Sequence, residues 1–270
     1  MRKLIFILSI LIGINCFMLF PKSYNTLIDK SIVDNYLNSS EDEPKNEVLR
    51  KQIIKNVLNA TGYNNWNEYI DYIDLKIYKL NALPNDKQDI LFNLNLSKDN
   101  ALIAIYEDTM KDKYFYKNKI TNLSPVKNIA SFKNFLVVEQ LLDERLGAFF
   151  IDNFVEVFYF DKNTFKNTFK KSIYYDEIYK DIWLDKNAPN DIWNKNIQKT
   201  SIDYLDEDIP KILAVTTNIK AKAKSVSTPK KEDFKEISKT SQQELYTWDE
   251  NEKIFKLTEK KQLNEQKSEF

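Results

Sequence analysis

The 270-residue chain contains no histidine. That absence removes Ser-His-Asp and Cys-His catalysis, histidine-ligated zinc and a histidine proton shuttle. Cysteine occurs once, as Cys16, which excludes an intrachain disulfide and any all-cysteine metal centre. Glycine occurs only at Gly13, Gly62 and Gly147. Loops that cradle phosphate need several glycines within a few residues, so that backbone amides can close on the anion. No such stretch exists, which argues against a P-loop, a dinucleotide fingerprint and a kinase-type loop. Net charge is missing too, because 40 Lys+Arg balance 40 Asp+Glu. A neutral chain carries no global field to draw in nucleic acid, and no nucleic-acid partner is expected. No catalytic residue, cofactor or metal ligand set emerges from the composition.

What is present begins with MRKLIFILSILIGINCFMLFPKS. Arg2 and Lys3 precede an apolar run over residues 4–20. As a helix the run spans about 25 Å at ~1.5 Å per residue, against a bilayer core of roughly 30 Å. Pro21 breaks it and Lys22 marks the water boundary. The positive-inside rule then places everything beyond Pro21 outside the cytoplasm. Three processing routes fit: a signal peptide cleaved near Ser23, lipidation of Cys16 behind Asn15, or a retained membrane anchor. Each makes the protein extracytoplasmic, secreted or associated with the membrane through this segment.

Beyond it the period reads helical. Leu27, Ile28, Ile32, Val33, Tyr36 and Leu37 form one stripe over residues 25–38, and Val48, Leu49, Ile53, Ile54, Val57 and Leu58 form another over 45–60. Thr61-Gly62 ends the second helix, and residues 64–73 add a helical turn. From Asp74 the period changes to two. Strands are predicted at residues 74–80, 89–97, 101–108, 113–120, 135–142, 148–160 and 168–175, with a hairpin at 201–204 and 211–217 around DEDIP and another at 246–257 around DENE. YYDEIYKDIWL (residues 174–184) fits a strand end or a short helix equally.

The expected fold class is therefore α+β: an N-terminal signal or anchor helix (1–22), a helical segment (23–73), then an antiparallel β-rich meander or sandwich domain (74–257). Residues 220–243 lack a hydrophobic period and read as a mobile loop. Residues 258–270 read as a charged tail, loose or frayed.

Within the β-rich part, IDYLDEDIPKILAV (residues 202–215), with ELYTWDENEKIFKL later, resembles the strand–acidic turn–strand hairpins of FG-GAP or VCBS-type repeats of bacterial surface proteins. The resemblance implies extracellular β-structure. It places the family's calcium-binding acidic positions on Asp203, Leu205 and Glu207. Leu205 offers no side-chain oxygen and the turn glycines are absent, so this ligand set is incomplete.

Other short patterns carry less. Ser124-x-x-Lys127 and Ser227-x-x-Lys230 match the penicillin-recognising Ser-x-x-Lys form, without its glycine-bearing companion and in a chain rich in lysine. LLDERLGAFF (residues 141–150) sets Asp143, Glu144 and Arg145 between apolar flanks. Trp183, Trp193 and Trp248 fall near predicted strand ends, where an exposed ring can stack on a sugar and a buried one fills the core. The function these features favour is a non-enzymatic binding or structural role in a bacterial cell envelope, with an envelope protein or a glycan as partner. One alternative is a glycan-cleaving envelope hydrolase drawing a carboxylate pair from Asp143, Glu144, Asp206 and Asp208. Another is a membrane-tethered subunit of a larger complex that uses residues 220–243 as its contact.

Overall fold

The computed structural model describes residues 27–267 except 86, 110 and 148. The expectations for residues 1–22, Cys16 among them, lie outside the described residues. Among the described residues no helix is long and apolar enough to cross a membrane. The protein is mostly β, and among the described residues its α-helices are confined to the first part. Its strands are β1 (Leu27–Asp29), β2 (Asp74–Leu80), β3 (Asp89–Ser97), β4 (Asn100–Asp108), β5 (Lys113–Leu123), β6 (Val126–Phe132), β7 (Phe135–Asp143), β8 (Phe150–Asp161), β9 (Thr164–Lys180), β10 (Ile192–Leu205), β11 (Lys211–Lys224), β12 (Lys235–Asp249) and β13 (Ile254–Lys267).

The described residues divide into two compact units, residues 27–70 with 109–116 and residues 71–108 with 117–267. In the first, helix α1 (Lys30–Asn38) leads to α2 (Pro44–Thr61). Pro44 opens α2 where a helix needs no amide proton, and Gly62 closes it in the left-handed region at φ 79°. The Tyr63 amide reaches back to the Leu58 carbonyl at 2.8 Å, completing the cap. Leu49, Ile53, Ile54, Val57 and Leu58 of α2 are buried, as their spacing predicts. The stripe expected from residue 25 starts as strand: Leu27 and Asp29 pair with Phe115 and Lys113. Pairing at that sequence distance leaves no trace in the local period.

The second unit holds two antiparallel assemblies. Strands β2, β3 and β4 with the remainder of β5 lie in the order β5-β4-β3-β2. An eight-stranded meander runs β6 to β13 with every strand beside its sequence neighbour. Leu91, Ile103 and Ile105 of the first pack against Ile129, Leu136, Val138 and Phe158 of the second to form one core. Asn95 seals the β6 edge, accepting the Val126 amide at 2.8 Å and donating to its carbonyl at 3.2 Å.

A second core shows that the large sheet is strongly curled. Phe135 on β7 and Trp248 on β12 stand five strand spacings apart in the sheet order. Flat, they would be about 24 Å apart at ~4.8 Å per strand. Their ring centroids are 4.7 Å apart, and Phe255 on β13 is 5.0 Å from Phe135. The concave face thus closes on an aromatic cluster that also holds Val157, Phe169 and Ile212.

Three sequence expectations are corrected. Residues 220–243 are not one mobile loop: β11 continues to Lys224 and β12 begins at Lys235, leaving a short connection. Residues 258–267 are not a loose tail, because β13 runs to Lys267 and pairs with β12 from Asp249 to Ser238; residues 268–270 lie outside the described residues. Strand β6 was not expected. The outer parts of β12 and β13 are almost wholly polar, so no apolar period marks them and partner strands hold them extended. In β6 a register shift leaves the buried Val126 and Ile129 three residues apart, out of a strand's period. The ambiguous YYDEIYKDIWL resolves into both forms, strand to Lys180 and then a 3-10 turn over Asp181–Trp183.

Candidate functional site

The two ends of the meander differ. One end is closed by connections of two to five residues at 133–134, 162–163, 206–210 and 250–253. Charges tie this end down: Lys133 pairs with Asp206 at 2.9 Å, Lys211 with Glu207 at 2.7 Å, and Lys166 donates to the Glu252 carbonyl at 2.8 Å. The other end carries three long connections, residues 144–149, 181–191 and 225–234. Loops held on a rigid sheet are where binding groups concentrate.

Five of the thirteen large apolar side chains exposed among the described residues sit on those three connections: Leu146, Phe149, Trp183, Leu184 and Val226. Three rings form their centre. Trp193, at the start of β10, is 3% exposed, and its indole nitrogen donates to the Ser225 carbonyl at 3.0 Å. Trp183 stands edge-on to it at 5.6 Å, and Phe149 lies 5.6 Å from Trp183 and 6.4 Å from Trp193. Trp183 is 52% exposed, so the buried Trp193 anchors a ring that faces water. Phe149 adopts φ 59°, a left-handed conformation in which a bulky side chain is strained. The Ile178 amide fixes it by bonding the Phe149 carbonyl at 3.0 Å.

Polar groups border the rings. The Lys180 ammonium lies 4.7 Å from the centre of the Trp193 ring and donates to the Val226 carbonyl at 3.4 Å. Asp181 accepts from the Asn194 amide at 2.5 Å. Further along, Lys195 is buried, pairs with Asp176 at 3.2 Å and lies 5.6 Å from the Phe234 ring. Tyr174 donates to the same carboxylate at 3.0 Å; burial first, and then Asp176, pushes its phenol upward.

Beside the rings, Lys98, Asp143, Glu144, Arg145, Leu146 and Gly147 line an open depression of about 810 Å³. Its carboxylates are committed. Arg145 Nε bonds Asp143 at 2.8 Å and holds that carboxyl below its ordinary range, while Lys98 reaches Glu144 at 3.3 Å. Asp206 and Asp208 belong to the turn at the opposite end of the sheet. Phe135 to Asp143 spans eight residue steps of β7, about 26 Å at ~3.3 Å per step. The two pairs of acids therefore do not converge on one cleft, whereas a glycosidase pair stands roughly 5–10 Å apart.

The remaining sequence candidates are scattered. Asp203 and Glu207 flank Leu205 at the end of β10, Asp203 exposed and Glu207 held by Lys211. The hairpin they belong to is continuous with β9 and β12 on either side. Ser124 precedes β6, where its amide donates to Gln140 at 2.9 Å, and Ser227 and Lys230 lie in the 225–234 connection. Among the described residues no group of three or more Cys, Asp or Glu is placed to hold a metal. Of the three tryptophans singled out in sequence, Trp183 and Trp193 come together, while Trp248 fills the aromatic core at the other end. Phe149 was missed, since nothing local marks a phenylalanine forced to positive φ. Comparison with family models, curated proteins and solved structures finds no match to the chain.

Proposed function

We propose that this is an exported, envelope-associated binding protein that engages a glycan through the loop end of its large sheet. One observation carries the reading: Trp183 is half exposed, braced edge-on by a buried Trp193 and flanked at a 33° tilt by a strained Phe149. A rigid, water-facing indole suits stacking on the apolar face of a sugar ring. The Lys180 ammonium and the Asp181 carboxylate at the same end of the sheet suit hydroxyl groups. The committed state of Asp143 and Glu144 favours binding over hydrolysis. The export part of the reading rests on the N-terminal sequence. The test is sedimentation with insoluble envelope polysaccharide. The unmodified chain should co-sediment, and Trp183→Ala should weaken that by about tenfold or more while the thermal midpoint stays put, since stacking on one aromatic is worth ~1–3 kcal/mol. Equal retention of both proteins would refute it.

A further inference from the structure

Cross-strand partners share a face, so the register of β10, β11 and β12 can be read in rows along the concave side. At the closed end stands Tyr204–Ile212–Tyr246, followed by Ile202–Ala214–Glu244. Next come Thr200–Thr216–Gln242 and Gln198–Asn218–Thr240. The last rows before the loop end are Asn196–Lys220–Ser238 and Asn194–Lys222–Lys235. The face thus grades from aromatic, through hydroxyls and amides, to lysine. Lys224 continues the stripe, one step beyond Lys222 on the same face.

The lysines are arranged at a cost. Lys222 lies directly opposite Lys235, and like charges so placed repel. Lys220, Lys222 and Lys224 repeat every second residue, about 6.6 Å apart at ~3.3 Å per residue. Lys224 has Asp191 at 3.6 Å, but Lys220, Lys222 and Lys235 have no carboxylate within ion-pair distance among the described residues. Two acids near the stripe accept hydrogen bonds from neutral side-chain amides, Glu177 from Asn196 at 3.4 Å and Asp181 from Asn194 at 2.5 Å. The aromatic patch lies on the opposite face, since Trp193 stands cross-strand from Ala223, and the two meet only at the rim. Lys224 is followed by Ser225, which holds the Trp193 indole, and by Val226, which holds Lys180.

We propose that this lysine-lined end of the concave face binds acidic groups of the ligand, so that the glycan recognised is a polyanionic one. The proposal rests on the glycan reading above and adds its charge. A polymer crossing the rim would stack a ring on Trp183 and lay carboxylates or phosphates along Lys220, Lys222 and Lys235. Its charge would relieve the Lys222–Lys235 repulsion, and the half-buried amides and hydroxyls of the preceding rows would take sugar oxygens.

The experiment compares polygalacturonate with its fully methyl-esterified form, a polymer of the same backbone without charge. It uses the unmodified chain, Trp183→Ala, and the triple variant Lys220→Gln/Lys222→Gln/Lys235→Gln. The unmodified chain should prefer the acidic polymer by about tenfold or more at low salt, with affinity falling as salt rises. The triple variant should lose that preference and its salt dependence while keeping the thermal midpoint or raising it. Failure of the unmodified chain to bind the acidic polymer would overturn the proposal. So would a triple variant that binds it as the unmodified chain does. Equal binding of the two polymers, abolished in both cases by Trp183→Ala, would overturn the acidic preference and leave the glycan reading standing.

Discussion

Replacing Lys171 by methionine should cost about 2–3 kcal/mol at pH 7, and most of that cost should vanish when Glu244 is neutralised as well. Lys171 on β9 and Glu244 on β12 form an ion pair across the concave face, although three strand spacings separate them in the sheet. Both side chains are largely buried. Burial alone would raise the Glu244 carboxyl; the Lys171 hydrogen bond, helped by the charges of Lys171 and Lys260, outweighs it and holds the group low. Breaking a buried pair typically costs ~3–5 kcal/mol, because the surviving charge is stranded. Here Lys260 remains at 3.6 Å, Gln242 at 3.1 Å and Tyr246 at 3.3 Å, which places the expected loss below that range. Lys171→Met/Glu244→Met should recover to within about 1 kcal/mol of the parent, as apolar replacements of whole pairs do.

The pH dependence follows from the same pair. A carboxyl with a lowered folded pKa contributes stability above its unfolded value of ~4.3, and that contribution is lost as pH falls through the folded value. In Lys171→Met the carboxyl loses its main stabilising partner and keeps its burial, so its charged form costs stability at neutral pH and protonation relieves it. The gap between parent and variant should therefore close between about pH 7 and pH 3. Urea unfolding of the three proteins at both pH values measures it. A single variant within about 0.5 kcal/mol of the parent at pH 7, or a gap that does not change with pH, would show that the curl does not depend on this pair as argued.

Phe135→Ala should lower stability by ~3–5 kcal/mol, since its ring meets Trp248 and Phe255 in the buried cluster; denaturant titration reads the loss directly. Truncation after Asp249 should abolish cooperative unfolding, because it removes Phe255 and all of β13 from a segment that sequence alone reads largely as a tail. Lys162 and Asn163 both have positive φ in the two-residue β8–β9 turn, so the double substitution Lys162→Asn/Asn163→Gly, which supplies residues that favour this conformation, should raise the thermal midpoint by a few degrees. Gly62→Ala should cost about 1 kcal/mol of stability in a denaturant titration, because the α2 cap needs φ near 79°.

Legibility in the sequence followed burial. Strands buried on both faces, such as β3 and β7, announce themselves through the apolar residues Ile90, Leu91, Phe92 and Leu94 or the run Phe135, Leu136, Val137 and Val138, which match what the sheets bury. Helix α2 was legible through its stripe and its Gly62 cap. Strands β12 and β13 were legible only beside their turn, as the hairpin at 246–257; farther out β12 faces the concave trough with Ser238, Thr240 and Gln242 between other polar residues, so no period survives. The site divides the same way. Trp183 and Trp193 could be singled out by residue type and by their place at strand ends. Their meeting with Phe149 needed the register that brings residues 144–149, 181–191 and 225–234 to one end. The lysine stripe was written in KAKAK all along, but an alternating pattern has meaning only once the segment is known to be a strand with Ala221 and Ala223 buried behind it.

The glycan reading is tested at its centre by the four indole N–H resonances, one each from Trp66, Trp183, Trp193 and Trp248, followed while an acidic polysaccharide is added. Trp183 should show a large saturable shift. Trp193, whose N–H is held by the Ser225 carbonyl, should show a smaller one, and Trp248 in the aromatic core none. A bound polymer that leaves the Trp183 resonance where it was, or moves only Trp66, would contradict the reading.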